Sequence, residues 1–324
     1  MDMTATPSDG RGSGVDPGTI AFLGPAGTFT EEALFTQSDY SARKVLPVGG
    51  LPEVLEAVQT GLADLAFVPI ENSIEGTVNA TVDSLVFDSD LLIQREVVLG
   101  VHITLAGPPG TDPGGIKRVL SFPHASAQCR RYLAERLPEV EVVPTNSTAE
   151  AARIVGQEGR TDTAALAPRL AAELYGLDVL DPAVEDHDGN QTRFVSLATR
   201  GIPAPTGHDK TSIVCFQHED RPGSLFAILS EFAARSINLT KLESRPTKRG
   251  LGEYCFLIDL EGHVADEVIA DCLRVLHAEL AGVKFLGSYP AAGEQGPEVR
   301  ARADAAWQDA DAWVGSLREQ IRPS

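Results

Sequence analysis

Cysteine, methionine and tryptophan are scarce in this 324-residue chain, with four, two and two copies, and lysine plus arginine (27) are outnumbered by 46 acidic side chains, giving a formal charge of −19. Each scarcity excludes something. Cys129, Cys215, Cys255 and Cys272 are far apart and sit inside apolar patterns, so neither a disulfide framework nor a zinc ribbon is expected. The basic deficit, without any Lys/Arg-rich run, argues against nucleic acid or an anionic membrane as a partner, because both need clustered cations to meet phosphate. No apolar stretch approaches the roughly 18 residues that span a bilayer. Even Val97 to Ala106 is broken by Gly100, His102 and Thr104. The seven histidines show no ligand spacing and no His-Glu-x-x-His, so no metal is expected. Gly24-Pro25-Ala26-Gly27 lacks the third glycine of a dinucleotide loop and no Gly-Lys-Ser/Thr occurs, so no cofactor is expected either. Residues 1–18, rich in Asp, Ser, Gly, Thr and Pro, lack the charged start and apolar middle of an export signal. They read as a disordered tail on a cytoplasmic protein.

What is present is alternation. At roughly 100–200 residues per domain the length predicts two or three domains. From Thr19 short apolar runs alternate with helical periodicity, the pattern of α/β layers. A first unit covers about 19–97 plus 191–200, and a second about 98–190. Ile20 to Leu23 reads as a strand that stops at Gly24-Pro25-Ala26-Gly27, and Thr28 with Glu31 has the spacing of a capping box. Leu65 to Val68 reads as a strand running into a polar loop, Pro69 to Ser73. In the second unit, Arg118 to Ser121 is a strand and Phe122-Pro123-His124 opens a helix with Cys129, Leu133 and Leu137 on one face. Ser147 and Glu150 form a second capping box. Residues 201–209 have linker composition, and 210–288 follow the order βαββαβ of a split, ferredoxin-like domain. In the tail, 289–324, Trp307, Ala310, Val314, Leu317 and Ile321 share one helical stripe.

The polar segments after strands, Gly24 to Thr28, Glu71 to Ser73, Ser121 to Gln128 and Gln191 to Arg193, can converge on one crevice between the two α/β units. Helix N-termini there offer amides to anions, and Arg193 offers a bidentate partner to a carboxylate. A small carboxylate-bearing molecule fits such a crevice. Plainer readings stand beside this one: Thr28 and Ser147 as caps, Glu71-Asn72 as a turn, Arg193 as a surface cation.

Four strings occur in an order that resembles prephenate dehydratases: Ala21 to Phe29, Pro69 to Ser73, Ser147 to Ala152, and Asn190-Gln191-Thr192-Arg193-Phe194. The last domain is similar to the family's ACT regulatory module, whose two phenylalanine-binding motifs match Pro222-Gly223-Ser224-Leu225-Phe226 and Glu243-Ser244-Arg245-Pro246. The resemblance covers about residues 19–288. It departs from the commoner pattern at Phe122, His124 and Ser224.

The resemblance implies a two-lobed catalytic domain like type 2 periplasmic binding proteins, with the active site between the lobes. It implies decarboxylating dehydration of prephenate to phenylpyruvate, regulation by phenylalanine, and a homodimer or homotetramer built through ACT domains. The family's catalytic threonine falls on Thr192, beside Arg193 and Phe194. Its other active-site positions map onto Glu71, Asn72, Ser121 and Gln128, with Ser73 and Thr28 as further substrate-binding candidates. On this expectation Arg193 and helix-terminal amides hold the pyruvyl carboxylate and Thr192 bonds the leaving hydroxyl, with Glu71 or a water as proton source. Glu243 is suited to the ammonium of phenylalanine, and His124 is expected at the rim. The alternatives are an arogenate dehydratase and a non-catalytic amino-acid sensor.

Overall fold

Strand β1 (Thr19–Leu23) forms from the first apolar run and lies in the interior of a sheet because its three middle residues are buried. The computed structural model describes residues 18–219, 221–248, 250, 252–293 and 312–320. The 1–17 tail and most of the C-terminal segment, Trp307, Ala310 and Ile321 included, lie outside the described residues. Around β1 the first lobe assembles from β2 (Lys44–Val48), β3 (Leu65–Asn72), β4 (Gly76–Thr77), β5 (Leu92–Gly100) and the late strand β11 (Gln191–Ala198), in the order β2-β1-β3-β11-β5 with β4 on β3. β11 is antiparallel to both its neighbours, so its first residues meet the C-terminal ends of β3 and β5. Helices α1 (Phe29–Phe35) and α2 (Ser38–Ser41) cover one face, where Ala33, Leu34 and Tyr40 join Phe67 and Phe194. On the other face α3 (Leu51–Gln59) and α4 (Asn79–Asp83) bring Val54, Leu55 and Val82 against Val68, Val195 and Leu197.

The second lobe has the order β10-β6-β9-β7-β8, from β6 (Thr104–Gly107), β7 (Arg118–Ser121), β8 (Glu141–Pro144), β9 (Thr163–Ala167) and β10 (Asp178–Asp181). Helices α5 (Pro123–Gln128), α6 (Arg130–Arg136), α7 (Thr148–Glu158) and α8 (Arg169–Leu174) clothe it. The expected single helix after Phe122 is two, because Cys129 leaves the helical region (φ −115°, ψ 19°). The chain crosses between lobes at 101–103, three residues later than the sequence suggests, since β5 continues to Gly100 along β11.

The third unit is β12 (Asp209–Phe216), α9 (Ser224–Ala234), β13 (Leu239–Pro246), β14 (Tyr254–Glu261), α10 (Glu267–Glu279) and β15 (Gly282–Pro290), sheet order β13-β14-β12-β15. Its helices cover one face, with Ile228, Phe232, Cys272 and Leu276 against Ile213, Cys215 and Ile258. The opposite face carries Val214, Cys255, Leu257, Leu286 and Tyr289, which share one apolar core with Val195 and Leu197 of the first lobe. The sheet of the third unit thus packs directly on the sheet that holds β11. A short helix, α11 (312–319), ends the described chain.

Candidate active site

The C-terminal ends of β1, β2 and β3 in one lobe, and of β7 and β8 in the other, border the gap between lobes, and the start of β11 enters it. β3 runs four residues beyond Val68, so Glu71 and Asn72 are strand residues rather than loop, paired in register with Arg193 and Thr192. β11 induces that extension by supplying a ladder partner that the local sequence does not announce.

Thr192 and Asn72 form the centre of a polar chain. Asn72 Nδ2 donates to Thr192 Oγ1 at 2.8 Å and to Asn190 Oδ1 at 2.9 Å. Asn72 Oδ1 accepts from the amides of Ile74 and Glu75, which fixes the orientation of its side chain. Because the amide nitrogen can only donate, the threonine oxygen is held as acceptor and its own proton is free to donate elsewhere. Ser73 Oγ accepts from Gln191 N at 2.9 Å and reaches Asn190 Oδ1 at 3.3 Å. Asn190 Nδ2 donates across the gap to Gln128 Oε1 at 3.0 Å, and Gln128 Nε2 reaches Glu75 at 3.4 Å. His124, more than half exposed, pairs with Glu75 at 3.1 Å. The structure therefore joins Thr192, Asn72, Ser73 and Gln128, and adds Asn190 and Glu75, to which the sequence reading gave no role. Asn190 opens the Asn190-Gln191-Thr192-Arg193-Phe194 string and Glu75 lies three residues past Asn72, so membership of one motif and proximity to another were the available signals.

Three expected site residues are directed elsewhere. The Arg193 guanidinium does not face the gap: Nε donates to Glu96 at 2.8 Å, Nη1 to Asp259 at 2.6 Å and Nη2 to the Tyr289 hydroxyl at 2.8 Å. Burial disfavours its charge, yet Asp259, Tyr289 and Glu96 raise its pKa above the ordinary arginine value. Conversely Asp259, although fully buried, is held below the usual carboxylate range by Arg193 and by the Ser212 hydroxyl. Glu71 pairs with Lys241 at 2.9 Å and Arg193 at 3.5 Å, on the side of the third unit's sheet, and is not placed to deliver a proton into the gap. Phe194 is 1% exposed and stacks on Phe67 at 5.6 Å, a core residue rather than a substrate contact. The physical reason is common to the first two: neighbouring strand residues point to opposite faces, so partners of Thr192 and Asn72 look away from the gap.

Thr28 caps α1, accepting from Glu31 N and donating to Leu23 O, while the Glu31 carboxylate takes the amide of Gly27. Ser121 is buried and donates to the carbonyl of Phe122. Thr28 thus starts a helix and Ser121 ends β7, with both hydroxyls committed to the chain. The second capping box forms as expected, Ser147 Oγ accepting from Glu150 N and Glu150 from Asn146 N. Between Gly24 to Ala26 and Val48 to Gly49 of one lobe and Asn146, Ser147, Glu150 and Arg153 of the other lies a cavity of about 470 Å³. Arg153 is the cation on its wall.

The two strings that resemble phenylalanine-binding motifs, 222–226 and 243–246, lie at the same end of their sheet. Phe216, which ends β12 ahead of the 222–226 turn, and Arg245 of β13 both pair with Cys255. Gly223 adopts φ +92°, a left-handed conformation that glycine reaches without strain and that starts α9. Pro222 and Ser224 lie at that turn, Ser224 Oγ donating to Arg221 O; Leu225 packs inward and Phe226 is 75% exposed. Glu243 does not offer a free carboxylate to an ammonium. It accepts from Thr77 Oγ1 at 2.6 Å and Arg245 Nη1 at 2.7 Å, and although burial opposes it, those bonds hold its pKa low. Arg245 also binds Asp83 and Asn79, whereas Ser244 and Pro246 are exposed on the opposite face. A cavity of about 360 Å³ opens beside the first motif, lined by His218, Glu219, Arg221, Ser224 and Glu231.

Comparison with known proteins agrees with this architecture. The family model described as prephenate dehydratase matches residues 20–201, and that of the ACT domain matches 211–278. A prephenate dehydratase of Mycolicibacterium gilvum is 44% identical over 311 residues, covering 93% of this chain and 98% of that one. Among solved structures, the prephenate dehydratase of Arthrobacter aurescens in complex with L-Phe superposes with TM-score 0.82 at 41% identity, covering 93% and 99% of the two chains. A protein described as a quorum-quenching acylase, GqqA, matches with TM-score 0.75 at 32% identity over 85% and 98%. With a two-lobed α/β domain, its gap marked by Thr192 and Asn72, and a βαββαβ domain seated on it, the chain belongs to the prephenate dehydratase family.

Proposed function

We propose that the chain converts prephenate to phenylpyruvate, water and carbon dioxide, with Thr192 at the departing hydroxyl, and that phenylalanine bound at the ACT domain regulates it. The observation that carries this reading is the 2.8 Å bond from Asn72 to Thr192, which leaves the threonine proton free to donate at the mouth of the gap. In the reaction the bond from ring carbon to carboxylate breaks and its electron pair enters the ring. The C–O bond opposite breaks with its pair leaving on oxygen, and that oxygen takes up one proton. Aromatisation drives the step, so the protein's task is to orient a dianion and bond the leaving oxygen. A threonine hydroxyl is a weak acid: Thr192 donates the hydrogen bond and solvent supplies the proton. With Arg193 and Glu71 engaged by the regulatory sheet, Arg153 is the cation that draws a substrate carboxylate to the α7 side of the gap.

The functional unit is a homodimer or homotetramer through the ACT domains. The outer strand β13 and its surroundings expose Leu242, Tyr254 and Phe226, an apolar patch that a second copy would cover. Four free, buried cysteines suit a reducing cytoplasm. The described residues include no helix long and apolar enough to cross a membrane.

The test is purified protein with prephenate, arogenate and an acyl amide in parallel, following phenylpyruvate, phenylalanine and free amine, with and without added phenylalanine. Turnover of prephenate alone supports the reading. Turnover of arogenate instead moves the substrate to the amino-acid analogue, cleavage of the amide makes the chain an acylase, and consumption of none leaves a sensor.

A further inference from the structure

Asn72 and Thr192 are cross-strand partners, and the residue preceding the first and the residue following the second are both held by the regulatory sheet. Glu71 is bound by Lys241 of β13. Arg193 is bound by Asp259 of β14 and Tyr289 of β15, whose carboxylate and hydroxyl are tied in turn through the Ser212 hydroxyl of β12. We infer that Arg193 is a positioning residue, and that its clasp on Asp259 and Tyr289 is the joint through which the ACT sheet sets the place of Thr192. The inference rests on the reading of the chain as a phenylalanine-regulated dehydratase.

Three features make the joint stiff. The Arg193 side chain is 11% exposed, Glu96 2% and Asp259 4%, so each polar group in the joint depends on the others rather than on water. Every charge has an opposite partner, Arg193 and Lys210 meeting Glu96 and Asp259, and Lys241 meeting Glu71 and Glu243, so none of the central three, Arg193, Glu96 and Asp259, turns outward without leaving a buried charge. Beside the joint, Gly287 of β15 lies so close to β5 that an added Cβ would stand 2.6 Å from the carbonyl oxygen of Ile93. β5 is the other ladder partner of β11. A shift of the ACT sheet therefore reaches β11 twice, through Arg193 and through β5. Thr192 and Arg193 occupy successive positions of one strand, so moving the guanidinium tilts the hydroxyl on the other face.

The experiment compares the full-length wild type with Asp259→Asn and Tyr289→Phe. The readouts are kcat and KM for prephenate, the response of turnover to L-phenylalanine, L-phenylalanine affinity by calorimetry, and amide exchange of 190–194 with and without L-phenylalanine. Asp259→Asn is expected to lower kcat by about 10–100-fold with KM within about twofold, the signature of misplacement rather than lost binding. It is expected to bind L-phenylalanine within about threefold of wild type while its turnover no longer responds, and the effector-induced change in exchange at 190–194 disappears. Tyr289→Phe, which removes one hydroxyl, shifts the same readouts in the same direction and carries the test if Asp259→Asn does not fold. Variants with wild-type kcat and full effector response overturn the inference, as does a lost response that tracks lost effector binding. A wild type that ignores prephenate removes the proposed function, and the exchange arm still judges the joint: an effector-induced change at 190–194 that Asp259→Asn abolishes supports it, and no such change in wild type overturns it.

Discussion

In the proposed reaction the Thr192 hydroxyl bonds the departing oxygen, which requires its proton to point there, and the bond donated by Asn72 sets that direction. Thr192→Ala is expected to lower kcat by about 10²–10⁴-fold with an unchanged melting temperature, and Thr192→Ser to recover much of the loss. Steady-state kinetics beside a thermal melt decide this. Asn72→Asp keeps the shape but exchanges a donor for an acceptor, so the threonine proton turns toward the carboxylate. Here kcat is expected to fall at least about tenfold, and wild-type turnover would detach Asn72 from the mechanism. The roles of single residues were legible only in part. Thr192, Asn72 and Gln128 join one hydrogen-bonded chain, all three being positions that the family resemblance points to, whereas Arg193 and Glu71 turn to the ACT sheet, because a string does not state which face of a strand each side chain takes.

At the level of elements, local signals worked where the determining partners are near in sequence. Both capping serine or threonine residues accept the amide three residues on, as their spacing requires. Where the partner is distant, they did not: β3 reaches Asn72 because β11, more than a hundred residues later, pairs with it, and the helix after Phe122 breaks at Cys129. Phe194 belongs to this scale. Stacked on Phe67 beneath α1 and α2, it holds the sheet to its helices, and Phe194→Ala is expected to cost about 3–5 kcal/mol of stability by leaving a cavity. Denaturant unfolding measures it. A raised KM with stability intact would instead restore Phe194 as a substrate contact.

Across the whole molecule the decisive feature is the interface between the ACT sheet and the first lobe, apolar at its centre and ringed by paired charges. Asp259 is held below its ordinary value of 3.8. Its stabilising contribution is complete above that value and lost as pH falls through the lowered one, so the melting temperature is expected to drop steeply below about pH 4, and less steeply in Asp259→Asn. Melts across acid pH check the sign. The exposed patch around β13 makes a second prediction: Leu242→Asp places a charge in it and is expected to shift the light-scattering mass toward a monomer, with a wild type already monomeric contradicting the assembly. Two α/β lobes, a βαββαβ domain, the capped helix starts and the strings at the gap are all legible in the chain of residues, because those properties follow from periodicity and from neighbours a few residues apart. Which of two adjacent side chains enters the gap, and which is taken by the ACT sheet, emerges when distant strands pack together. That outcome depends on the face each strand presents and on partners such as Asp259 and Tyr289, whose approach is set by the packing of one sheet on another.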